Sequence, residues 1–361
     1  MSNLRLRSLI GIVQNEAGVE FFNSNTRESI LLEIDFPEIL TFLKKFDGRT
    51  PFVEICAYFP NYTPESLKYL VNFLHQNHIL ILDDKPYSES DKNDGRLISF
   101  LEDYCYLSSE VIEKIDLIKS SRIMIIGLGS VGSLIATYLA KQGIGNFILV
   151  DNDTVEITNI HRQYYFEDQI GIQKTIALNE ELKRINPRVK CELIQDCLTE
   201  DFFEKHLLSH PIDLIINCAD EPSVDYTSRI VAKYSMSKNI PHIIGGGYNL
   251  HLTLIGQTIV PYQTACFECF TQKLNELNLS DLKNVKKLHR ENRKIGSFPP
   301  LSGIAATLAT LDAMKIIIKK FKYLNNSNKR IEFSLKDYSI KTIQVDKNPN
   351  CEWCGNEKNN N

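Results

Sequence analysis

The sequence has no long hydrophobic run. Its longest apolar stretches, such as Ile123–Ile126 and Phe147–Val150, fall far short of the ~20 residues that cross a bilayer, so no membrane partner is expected. It also has no excess of either charge. Its 41 basic side chains face 45 acidic ones, a net charge of -4, which leaves no basic footprint for nucleic acid as the main ligand. The amino terminus, Met1-Ser-Asn-Leu-Arg-Leu-Arg, has none of the apolar core of a signal peptide, and the expected compartment is cytoplasmic. Internal repeats are absent, and low complexity is confined to Asn359–Asn361. The remainder is an ordinary folded composition, 43% hydrophobic and 24% charged over 361 residues, long enough for two domains. Nine cysteines is an odd number. In a reducing compartment they are expected to be buried, catalytic or metal-bound rather than paired as disulfides.

The stretch with least to bury is Asp83–Arg96, DDKPYSESDKNDGR, which reads as a linker between an amino-terminal module, residues 1–88, and a larger domain, residues 89–361. Within the module, short runs at Leu6–Val13 and Gly18–Phe22 predict two strands around a hairpin at Gln14–Ala17. A helix is expected over Pro37–Phe46, stopped by Asp47-Gly48. A second is capped by Thr63, with Pro64 in its first turn and Leu67, Leu70, Val71 and Leu74 on one face. His78–Leu82 closes this small α+β module as a strand. From Ser121 the pattern changes. Apolar runs at Arg122–Ile126, Phe147–Val150, Asp213–Asn217 and Pro241–Gly245 alternate with helical stretches at Ser130–Gln142, Lys174–Ile185 and Ser223–Ser237, and Ile304–Lys319 forms a late helix. Strands apolar on both faces, alternating with helices, predict an α/β fold with a doubly wound, Rossmann-like parallel sheet.

Gly127-Leu-Gly129-Ser-Val-Gly132 follows the first of these strands and opens the first helix. Glycines there permit a tight turn and close approach of backbone to phosphate, and a helix N-terminus offers N–H groups to anionic oxygens. The second strand ends in Asp151, about 20 residues past the loop, the spacing of a carboxylate that grips ribose hydroxyls. A dehydrogenase would need a hydride-transfer group nearby, and none stands at these spacings. Instead Asn159, Arg162 and Gln163 follow closely and Lys174 opens the next helix. Arg and Lys converging on a glycine loop fit a triphosphate whose charge must be neutralised as a leaving group departs. Asp220, past the later strand, stands where a magnesium-binding carboxylate belongs. Two further pairs, Cys266-Phe-Glu-Cys269 and Cys351-Glu-Trp-Cys354, supply four thiolates for a closed tetrahedral zinc site.

These motifs make the region from Ser121 onward resemble the ThiF/MoeB superfamily, adenylyltransferases related to ubiquitin-activating enzymes. The resemblance rests on GLGSVG at Gly127–Gly132, DND at Asp151–Asp153, TNIHRQ at Thr158–Gln163, GIQK at Gly171–Lys174, INP at Ile185–Pro187 and NCAD ending at Asp220. It implies that Asp151 holds the ribose, Arg162 the outer phosphates, Lys174 the α-phosphate and Asp220 the catalytic Mg2+. Asn159 would help position the phosphates, and Asp153 and Gln163 belong to the same nucleotide-binding set. The implied reaction is attack of a carboxylate on the α-phosphorus of ATP, giving an acyl adenylate and pyrophosphate. The same family carries paired zinc knuckles, so Zn2+ is implied at Cys266, Cys269, Cys351 and Cys354. It also forms homodimers in which an arginine reaches the partner's ATP site, and Arg96 stands in the corresponding stretch.

No cysteine occurs between Cys269 and Cys351, the region where relatives that pass the acyl group to sulfur carry one. The stretch from Gln272 to Pro300 holds Lys283, Lys286, Lys287, His289, Arg290, Arg293 and Lys294 instead, either a solvated, mobile surface or a flexible lid that contacts an acidic substrate or the triphosphate. The amino-terminal module, winged-helix-like, resembles the leader-recognition element of ribosomal-peptide modifying enzymes. Together the two parts resemble the enzymes that modify the microcin C and pantocin A precursors. The expected function is therefore ATP-dependent activation of a carboxylate on a small ribosomal precursor peptide, at a C-terminal residue or at a side-chain Glu or Asp. The alternative is activation of a ubiquitin-like or sulfur-carrier protein.

Overall fold

The structure, a computed structural model, describes residues 3–92, 94–206, 210–244, 252–281 and 298–355. The chain divides into two compact units, Met1–Asp116 and Leu117–Asn361.

In the first unit, β1 (Leu4–Leu6) pairs antiparallel with β5 (Leu80–Leu82), and β2 (Ile10–Asn15), β3 (Gly18–Asn23) and β4 (Ser29–Leu32) form an antiparallel sheet in that order. The single strand expected at Leu6–Val13 is therefore two. It breaks at Arg7, a buried guanidinium that donates to the carbonyls of Glu102 and Cys105. β3 alternates cleanly, sending Val19 and Phe21 inward. They meet Phe36, Phe42, Phe46 and Phe59, and Phe42 packs edge-on against Phe46 and Phe59 at 5.0 and 5.3 Å. The helix Pro64–Gln76 begins as expected: Thr63 accepts the Ser66 N–H, and Leu67, Leu70, Val71 and Leu74 are buried. Asp83–Arg96, expected as a linker, is instead part of the packed unit. Asp83 pairs with Arg5 at 3.0 Å, Asp84 accepts the Ser108 hydroxyl, and the rest includes the helix Glu89–Lys92 and the start of the helix Gly95–Glu102. Polar residues can be docked when their charges are paired rather than stripped bare.

The second unit holds a six-stranded sheet of β6 (Arg122–Ile126), β7 (Asn146–Val150), β8 (Lys190–Ile194), β9 (Leu214–Asn217), β10 (His242–Ile244) and β12 (Thr258–Ile259) in the order β12-β10-β9-β6-β7-β8. Five strands are parallel, and β12 runs antiparallel to β10. The helices Gly132–Lys141, Lys174–Ile185 and Val224–Ser237 cover it, which is why β6, β7 and β9 are almost wholly apolar. A second antiparallel sheet orders β11 (Leu252–Ile255), β13 (Lys329–Ser334) and β14 (Ile340–Gln344). The helix Pro299–Ile317 is long and apolar enough to cross a membrane, but 67% of its apolar window is buried inside the protein. Asp312, one turn from its end, accepts hydrogen bonds from Thr258, Asn325 and Asn326.

Candidate nucleotide and metal sites

β6 ends at Ile126, and the chain turns at once toward the helix Gly132–Lys141. Gly127 does this with φ +83°, and a Cβ there would lie 2.5 Å from the Ala219 nitrogen and 2.6 Å from the Cys218 carbonyl carbon, in the segment leaving β9. At Gly132 a Cβ would collide with the Gly127 carbonyl oxygen. Gly129 differs: the atom nearest to where a Cβ would stand is Gln163 Nε2, 3.9 Å away, so the backbone is open there. The loop lies between β6 and β9, where successive strands depart to opposite sides, β7 and β8 one way, β10 and β12 the other. Such a switch point opens a crevice at the carboxyl ends of the strands.

Asp151 is tied to this loop. Its two oxygens accept the N–H groups of Leu128 at 2.7 Å and Asp153 at 2.8 Å. An ionised carboxylate has about four acceptor positions, so capacity remains for ribose hydroxyls. Burial pushes its pKa up, opposed by the Lys174 charge and by the two N–H donors. Lys174 is only 5% exposed, and its Nζ meets Asp153 Oδ2 at 2.7 Å, while that carboxylate is 57% exposed. A buried cation thus ends on a solvent-facing anion.

Asn159 has a more local task than expected. Its amide oxygen accepts the Glu156 N–H at 3.0 Å, and its carbonyl accepts the Arg162 and Gln163 N–H groups, so it shapes the turn that carries them. Arg162 is half-buried and donates to the Thr158 carbonyl. Gln163 brings its Nε2 beside the open Gly129, and its Oε1 is buried with no hydrogen-bond partner. That is the kind of orphaned acceptor a bound ligand satisfies. Asp220 is exposed just past β9, next to the residue that packs on Gly127. Its solvent-facing carboxylate suits a hard cation such as Mg2+. The structure thus gathers Gly127, Gly129, Gly132, Asp151 and Gln163 about one loop and couples Asp153 to Lys174. Among the described residues, no hydrogen bond or ion pair joins Arg162 or Asp220 to them. Arg96 is exposed on the helix Gly95–Glu102 of the first unit. Lys283, Lys286, Lys287, His289, Arg290, Arg293 and Lys294 lie outside the described residues.

Sequence reasoning passed over Tyr165 and Ser133. The Tyr165 hydroxyl donates to the Leu128 carbonyl at 2.8 Å, and Ser133 Oγ donates to that of Gly129 at 2.7 Å. Neither belongs to a motif by itself; their position directly behind Gln163 and Gly132 was the only available signal.

The four knuckle cysteines converge. Their sulfurs all lie within 4.8 Å of one another, with Cys266–Cys351 and Cys269–Cys354 at 3.5 Å, and all four residues are buried. Four thiolates around Zn2+ at ~2.3 Å stand about 3.8 Å apart, so the donor set and spacing fit that ion. Hydrogen bonds from the Cys266 and Cys354 thiols, and then the Asn348 N–H, pull the Cys269 thiol down toward thiolate. The aromatic residues inside the knuckles, Phe267 and Trp353, lie 6.4 Å apart, and the Arg229 guanidinium sits 5.5 and 5.7 Å from their rings.

Residues 109–353 match the ThiF family. The chain is 30% identical over 260 residues to ubiquitin-like modifier-activating enzyme 5 of Oryza sativa subsp. japonica, covering 67% of this chain and 57% of that protein. It thus spans little more than half the length of such relatives. With the molybdopterin-synthase adenylyltransferase of Escherichia coli K12 it shares 27% identity over 242 residues, 66% of this chain and 88% of the other. Its fold is that of Escherichia coli MccB solved with ATP, at TM-score 0.78 and 24% identity, with 98% of this chain and 99% of that one covered. MccB, the microcin C7 biosynthetic enzyme, is also solved in complex with N-formylated MccA, at TM-score 0.75 and 24% identity over 98% of this chain and 99% of the other.

Proposed function

The chain belongs to the ThiF family, and from that premise we propose that it is an ATP-dependent adenylyltransferase that activates a carboxylate on a small ribosomally made precursor peptide. The observation that carries this reading is the open Gly129 backbone at the sheet's switch point, with Asp151 tied to the same loop and the Gln163 amide nitrogen beside it. In the reaction a carboxylate oxygen bonds to the α-phosphorus of ATP as the bond to pyrophosphate breaks. Lys174 and Arg162 stabilise the charge that shifts onto the phosphate oxygens, the glycine loop supplies N–H donors, and Asp151 anchors the ribose. Mg2+ held by Asp220 would supply further neutralisation of the leaving pyrophosphate. Zn2+ on Cys266, Cys269, Cys351 and Cys354 would leave no open coordination position and would serve structure alone.

Residues 1–88 are proposed as the peptide-recognition module, with edge strand β4 able to receive an extended segment by main-chain pairing. The full-length likeness to MccB, solved with MccA, supports a peptide substrate. A cytoplasmic homodimer is part of the same proposal. A second reading, activation of a ubiquitin-like or sulfur-carrier protein, is favoured by the likeness to the rice and molybdopterin-synthase enzymes. The cysteine-free segment between Cys269 and Cys351 opposes its sulfur-transfer form.

ATP–pyrophosphate exchange tests the proposal. Exchange of label that depends on a short peptide with a free carboxylate supports it, and the mass of the product then separates C-terminal from side-chain activation. Exchange that depends instead on a carrier protein ending in Gly-Gly selects the second reading. No exchange with any acid, from folded protein with metal present, overturns both.

A further inference from the structure

Three consecutive residues, the last of the TNIHRQ motif and the two that follow it, stand against the glycine loop and the start of its helix. Gln163 faces Gly129, the Tyr164 N–H donates to Ser133 Oγ at 3.3 Å, and the Tyr165 hydroxyl donates to the Leu128 carbonyl at 2.8 Å. Leu128 is thereby held from both sides, its N–H by Asp151 and its carbonyl by Tyr165. The carbonyl of Leu128 and the N–H of Gly129 belong to one planar trans peptide and point in opposite directions. Whatever pins the first aims the second. Gly129 is also the loop position where nothing crowds the backbone.

We propose that Tyr165 is a positioning residue for the triphosphate: by fixing the Leu128–Gly129 peptide it aims the Gly129 N–H at an ATP phosphate oxygen. This deepens the adenylyltransferase reading and rests on it. Tyr165 is well suited to the task. It is buried, and its surroundings, including the nearby Asp151 and Asp153 charges, keep the phenol protonated and so a permanent donor. Ser133 braces the next peptide through its N–H and Oγ, both donating to the Gly129 carbonyl. The clasp also ties the glycine loop to the segment that directly follows Arg162.

Tyr165→Phe removes one oxygen and little volume. Binding of a non-hydrolysable ATP analogue and of adenosine to the full chain should be compared for wild type and variant, with thermal unfolding alongside. The analogue should weaken about tenfold, because the Gly129 N–H is no longer held toward the phosphate before binding, while adenosine stays within about twofold. In turnover the loss should fall on KM for ATP more than on kcat. Unchanged analogue affinity in the variant overturns the positioning role and leaves the ATP reading standing. Equal losses for both ligands also overturn it, because they mean general disruption of the site. Wild type that binds neither ligand overturns the ATP reading and this inference with it. Should the variant not fold, Ser133→Ala must show the same triphosphate-selective loss, and normal analogue binding there would refute the clasp.

Discussion

The three loop glycines look alike in the sequence, yet alanine at Gly127 or Gly132 should give a different outcome from alanine at Gly129. At Gly127 the added Cβ meets two faults at once. The left-handed φ of +83° costs a non-glycine residue about 1–2 kcal/mol. The Cβ would also stand 2.5 and 2.6 Å from the backbone of Ala219 and Cys218. Backbone at the end of a central strand cannot yield like a side chain, and relieving such overpacking costs a further ~1–3 kcal/mol. Gly127→Ala should therefore lose about 2–5 kcal/mol and, for a unit of this size, ~5–15 °C in Tm. Gly132→Ala should behave similarly, since its Cβ would strike the Gly127 carbonyl. Gly129→Ala meets nothing nearer than 3.9 Å and no positive φ, so its Tm should match wild type within a degree or two. Nucleotide affinity should nevertheless fall by at least about tenfold, because a methyl group now stands where phosphate approaches the backbone. Thermal unfolding and titration with a non-hydrolysable ATP analogue read both quantities on the same preparations. A Gly129→Ala protein that binds the analogue like wild type would refute the assignment of the open backbone to phosphate.

Lys174→Ala should lower pyrophosphate exchange by about 10²–10³-fold, the scale for removing one preorganised charge from a reacting phosphate, and retained exchange would reject its role. It should also raise the Asp151 pKa further, since the Lys174 charge is the largest of the influences that oppose burial there. His242 is fully buried, and burial lowers its pKa to about 4 from the ordinary 6.5. The unfolded chain binds that proton first, so stability present above pH 6.5 should be lost as pH falls toward 4, by roughly 3 kcal/mol in total. His242→Leu should flatten that part of the stability–pH curve, and an unchanged slope would show that other groups dominate it. Cys351→Ser should reduce bound zinc measured by elemental analysis and lower Tm, while a strong chelator does the same to wild type. Full zinc occupancy in the variant would exclude Cys351 as a ligand.

Local chemistry made much of this protein legible in advance. β6, β7 and β9 are buried on both faces, so each shows as an unbroken apolar run. The Thr63 cap and the Leu67, Leu70, Val71 and Leu74 face obey the geometry of one helix. The two Cys-x-x-Cys pairs and the glycine loop announce themselves by spacing alone. β8, by contrast, pairs among the described residues with β7 alone and alternates in exposure, while β13 is mostly half-buried and β14 mostly exposed, so none of the three showed as an unbroken apolar run. Asp83–Arg96 looked like a linker because charges with unseen partners look solvated, and those partners, Arg5 and Ser108, lie elsewhere in the chain.

Order along the chain thus determined which groups are available and which elements carry them: strand, glycine loop, the Asp151 carboxylate, cations and cysteines. Tertiary packing alone decided their offices. That Gly129 is open while Gly127 is walled in depends on the Cys218–Ala219 backbone arriving from β9. That Asn159 shapes a turn, Lys174 leans on Asp153 and Tyr165 steers a peptide depends on which donors and acceptors folding leaves within reach. Hydrogen bonds of that kind are set by distances of a few tenths of an ångström between segments remote in sequence, and residue type and spacing carry no record of them.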